Sequence, residues 1–130
     1  MGHARPGLGS RRHRPHLGLP TLEQSRLLAE QNRTYGYEYA ERDGPVPAPG
    51  YPWGAAHGLE LAYLFDMDFL TVQTRPELQS RFVAAWSRFA STGTPGWPRT
   101  PYVQTFAYDR TGNVNLAAEH QCGFWSSVPR

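Results

Sequence analysis

The chain has 130 residues and a formal net charge of +2, with thirteen Gly, twelve Pro, one Cys and no Lys. That length suits one domain, the Gly and Pro content predicts a loop-rich one, and a single cysteine excludes an internal disulfide framework. No run is long and apolar enough to suggest a membrane span, and the near-neutral balance does not point to nucleic acid; a cytoplasmic protein is the default expectation.

Residues 1–19 lack hydrophobic periodicity, and the first twenty residues carry Arg5, Arg11, Arg12 and Arg14 without an acid. Such a composition buries too little apolar surface to offset its ordering entropy, so a disordered basic arm is expected over 1–19. The arm has no interleaved aromatic residues and no Lys, which argues against a nucleic-acid tail. Ser10-Arg11-Arg12 is followed by His13-Arg14-Pro15-His16, which provides no apolar core for an export signal. His13 and His16 form only a weak metal-ligand pair on a flexible segment.

A helix is expected after Pro20, where Thr21 to Gln24 fits a capping box, with Asn32 as its stop. Thr34 to Tyr39 alternates strictly and places Tyr35, Tyr37 and Tyr39 on one strand face. Helix followed at once by strand points to an α/β arrangement. Four prolines and two glycines between Asp43 and Pro52 make a loop that leads to Gly54-Ala55-Ala56-His57-Gly58-Leu59-Glu60-Leu61. Small residues around His57 let the backbone approach another loop closely.

Leu59 to Phe65 predicts a short helical turn. A longer helix follows: Thr74-Arg75-Pro76-Glu77 offers a cap, an early proline and an acid suited to the helix dipole, and Leu78, Phe82, Ala85, Trp86 and Phe89 recur at helical spacing up to Gly93. This stripe reads as core, not as a cofactor surface. Short extended segments at 105–108 and 113–116 are expected to form a hairpin around Asp109 to Gly112, and a last helical turn is expected over Ala118 to Ser126.

Four blocks now stand in order: Tyr37-Glu38-Tyr39; the His57 segment; Trp86-Ser87-Arg88-Phe89-Ala90-Ser91-Thr92-Gly93-Thr94-Pro95; and Trp97-Pro98 with the closing Cys122-Gly123-Phe124-Trp125. Together they resemble the C-terminal segment of the type-B carboxylesterases, the cholinesterase-like branch of the α/β-hydrolases, over residues 20–128. Residues 1–19 do not share the resemblance, which points to a shifted reading frame or a misplaced start. The resemblance implies an α/β fold that is the incomplete C-terminal portion of a hydrolase acting on carboxylic esters through an acyl-enzyme, with no metal and no organic cofactor.

The role it implies for His57 is general base of a Ser-Glu-His triad, taking the serine proton on acylation and returning it to the leaving alcohol. The chain holds no Gly-x-Ser-x-Gly, no Gly-rich oxyanion loop and no triad-acid motif upstream of His57. Removing a triad serine costs on the order of a millionfold in turnover, so the chain is expected to be inert alone.

Substitutes are poor. Glu60 can reach His57 on a helical turn, but in the family this acid belongs to the His-Gly-x-Glu-Leu segment and not to the triad. Ser87 and Ser91 lack a strand-turn-helix elbow, Cys122 reads as a packing residue, and His3 and His120 have no partner at a recognisable spacing. The alternatives are a non-catalytic cholinesterase-like interaction protein and a gene fragment without independent function. Substrate-binding residues and oligomeric state are not legible.

Overall fold

In the computed structural model, residues 9–44, 50–66 and 74–128 are described, the first ten of them by backbone alone. The tyrosine alternation builds the first strand, β1 (Gly36–Tyr39). It pairs in parallel with β2 (Val103–Phe106), Gly36 opposite Val103 and Tyr39 opposite Phe106. β2 pairs antiparallel with β3 (Thr111–Asn113), giving the order β1-β2-β3. Parallel neighbours need a crossover, and the chain between β1 and β2 carries α2 (Pro76–Thr92).

The two faces of this mixed sheet are covered by different helices. Tyr37, Tyr39 and Phe106 point to α2, where Phe82 stacks on Phe106 with 4.2 Å between ring centroids and on Tyr63 with 5.5 Å. Leu78 and Phe82 are fully buried there, and Ala85 nearly so. On the opposite face Val103, Val114 and Leu116 pack with Leu22 of α1 (Gly9–Gln31). Two short helices, α3 (Leu116–Glu119) and α4 (Cys122–Ser126), lie against α1 on this side. The result is an α/β architecture with helices on both faces of a small sheet.

α2 forms where its sequence predicts. Pro76 occupies the first turn, and Gly93 ends the helix at φ 71° with its N–H on the Phe89 carbonyl at 2.8 Å, the left-handed cap that glycine favours. The expected side-chain cap is not made: Arg75 is the N-cap residue and closes no such bond. The apolar stripe also divides. Its inner residues find a sheet within this chain, whereas Trp86 and Phe89 stay 45% and 42% exposed, resting edge-on against Tyr37 and Tyr35. A four-residue strand spans about 13 Å and a seventeen-residue helix about 25 Å. The last turns of α2 therefore overhang the sheet.

Three boundaries differ from the sequence expectation. The helix expected after Pro20 already runs from Gly9, so the arm expected to be disordered carries helical backbone over 9–19, at the cost of the main-chain donors that Pro15 and Pro20 lack. Its stop at Gln31 falls where Asn32 marked it. In the hairpin the turn is Ala107 to Arg110, closed by Ala107 N–H to the Arg110 carbonyl at 3.2 Å. Gly112, the supposed turn residue, sits inside β3 at φ 109°. The terminal helix is two, because Gln121 between α3 and α4 adopts a left-handed conformation.

Candidate functional site

His57 lies beyond the C-terminal end of β1. Gly54 at φ 54° and Gly58 at φ 86° flank it with left-handed turns. A 3₁₀ helix (Leu59–Tyr63) follows with Leu59, Ala62 and Tyr63 buried, and Tyr63 anchors it on the aromatic core. The histidine itself is exposed. A mobile-looking sequence is thus held between a buried anchor and a tight loop.

The loop is closed by sterics and by charge. A Cβ added at Gly44 would sit 2.5 Å from Tyr39 Oη and 2.7 Å from the Gly54 carbonyl, so the two ends of the loop meet over Tyr39 with no room for a side chain. Glu41, only 3% exposed, accepts the main-chain N–H of Asp43 at 3.1 Å and of Tyr108 at 2.7 Å. Arg75 pairs with Asp43 at 3.2 Å and lies 4.3 Å from the centroid of the Tyr108 ring. These contacts tie the start of the loop to the end of β2 and the start of α2.

Burial, then the charges of Tyr63, Glu41 and Glu60, holds the Tyr39 hydroxyl far above the ordinary tyrosine range. Burial and Glu60 raise Tyr37, and burial is the main cause of the rise at Tyr63. Glu60 therefore acts on the tyrosines. Among the described residues it makes no hydrogen bond to His57, and His57 has no hydrogen-bond or ion-pair partner there.

The histidine that does hold a carboxylate is His120, for which the sequence showed no partner. Its Nε2 lies 2.8 Å from Glu38 Oε1, the side chains being 8% and 10% exposed. Strand alternation puts Glu38 on the face opposite the tyrosines, and a carboxylate between layers needs a partner. That alternation was the available signal; the partner, 82 positions away, was not. The pair lies across the sheet from Tyr39 and Tyr63, on which the His57 loop rests. Glu38 Oε2 is buried with no hydrogen bond among the described residues.

The remaining candidates do not converge on His57. Ser91 Oγ is bonded to the Arg88 carbonyl at 3.1 Å, Ser87 is exposed on α2, and Cys122 is a buried free thiol. No cluster of three metal-ligating side chains occurs among the described residues. His3 and the side chains of His13 and His16 lie outside the described residues. An open groove runs along α1 past Leu19, Pro20, Glu23, Gln24, Leu27 and Leu28, and no residue of the His57 loop lines it. No described helix is long and apolar enough to cross a membrane. No family model matches the chain.

Proposed function

We propose that this chain is the C-terminal part of a type-B carboxylesterase-like α/β-hydrolase, in which His57 is the general base for hydrolysis of a carboxylic ester in the cytoplasm without metal or organic cofactor. The observation that supports it best is the placement of His57: an exposed imidazole on a braced loop beyond the C-terminal end of a parallel strand. An imidazole so placed can take the proton of a serine hydroxyl brought against it and deliver that proton to the leaving alcohol. A carboxylate on its other ring nitrogen would set the tautomer. On this proposal the serine, the oxyanion donors and that acid come from another segment.

Sequencing several hundred codons upstream of Thr21 in all three frames tests the proposal, together with an ester-hydrolysis assay. A Gly-x-Ser-x-Gly frame running into this one, and turnover of the joined protein that His57→Ala abolishes, is the expected result. Ester turnover by this chain alone that survives His57→Ala would overturn it. A second reading, a non-catalytic interaction protein, draws on the exposed Trp86, Phe89 and Phe124. Verified DNA without such a frame, and a chain that unfolds cooperatively but hydrolyses no ester, would favour it.

A further inference from the structure

We draw no further inference here: the strongest candidate, the row of half-exposed apolar side chains Val83, Trp86 and Phe89 on α2 beside the outer strand β1, is an apolar face for which nothing in the structure shows what covers it.

Discussion

Replacing His120 by alanine removes the only hydrogen-bond partner of the Glu38 side chain among the described residues and leaves both carboxylate oxygens unpaired between the sheet and the helices behind it. Both side chains are about nine-tenths buried and 2.8 Å apart, so bulk solvent has little access to the carboxylate left behind. Leaving a buried acceptor without its partner costs about 1–3 kcal/mol, more where it is charged, a sizeable part of the 5–15 kcal/mol or so that holds a typical domain together. Replacing both members by leucine removes the orphaned acceptor along with its partner and should cost much less. The exposed pair Arg26–Glu30 on α1, at 2.9 Å, serves as the control, since such pairs contribute about 0–1 kcal/mol. Urea unfolding followed by circular dichroism, run as a double-mutant cycle over Glu38 and His120, reads the coupling directly. A loss below about 1 kcal/mol for His120→Ala, or a coupling indistinguishable from that of Arg26 and Glu30, would show that burial of this pair does not set its worth.

Phe82→Ala, in the middle of the aromatic core, should cost about 3–5 kcal/mol, and Phe89→Ala less than half of that because its ring is already half in water; equal losses in thermal melts would contradict the overhang of α2. Tyr37, Tyr39 and Tyr63 should stay protonated past the point where exposed tyrosines ionise. Their folded values are raised, so the stability they contribute is complete below the unfolded value of about 10 and is lost as pH climbs above it. Absorbance near 295 nm should therefore show these three tyrosines ionising late, with the loss of ellipticity; their ionising at the ordinary tyrosine pH in a folded chain would refute this. Gly44→Ala should destabilise by about 1–3 kcal/mol through the Tyr39 and Gly54 clash, and a crystal structure with that loop unmoved would remove the argument. His57→Ala should change stability by less than about 0.5 kcal/mol, as an exposed side chain with no partner among the described residues does; a larger loss would mean that His57 holds the fold.

The elements that could be foreseen are those whose signals are local. Pro76, the apolar spacing from Leu78 to Phe89 and Gly93 lie within one helix and specify it without reference to anything else. Tyr35, Tyr37 and Tyr39 likewise declare a strand face. The sheet that receives them was not foreseen, because pairing of β1 with β2 joins segments 67 positions apart, and no residue in either names the other. Gly112 misled for a related reason: glycine permits positive φ equally in a turn and in a short strand. At the site, the small residues around His57 pointed to a loop, but its exposure, and that neither Glu60 nor any other described carboxylate pairs with it, emerged only from the packing around it. Glu38 and His120 show the reverse, a constellation invisible in the sequence because its members face each other across layers.

The fastening by Glu41 bears on how the loop tolerates change over evolutionary time. Its carboxylate is held by the main-chain N–H groups of Asp43 and Tyr108, which nearly every amino acid at those positions would supply. Drift at either site would give up a contact with Arg75 but keep this main-chain fastening at the root of the loop. Only proline, which has no such hydrogen, is barred there by this contact.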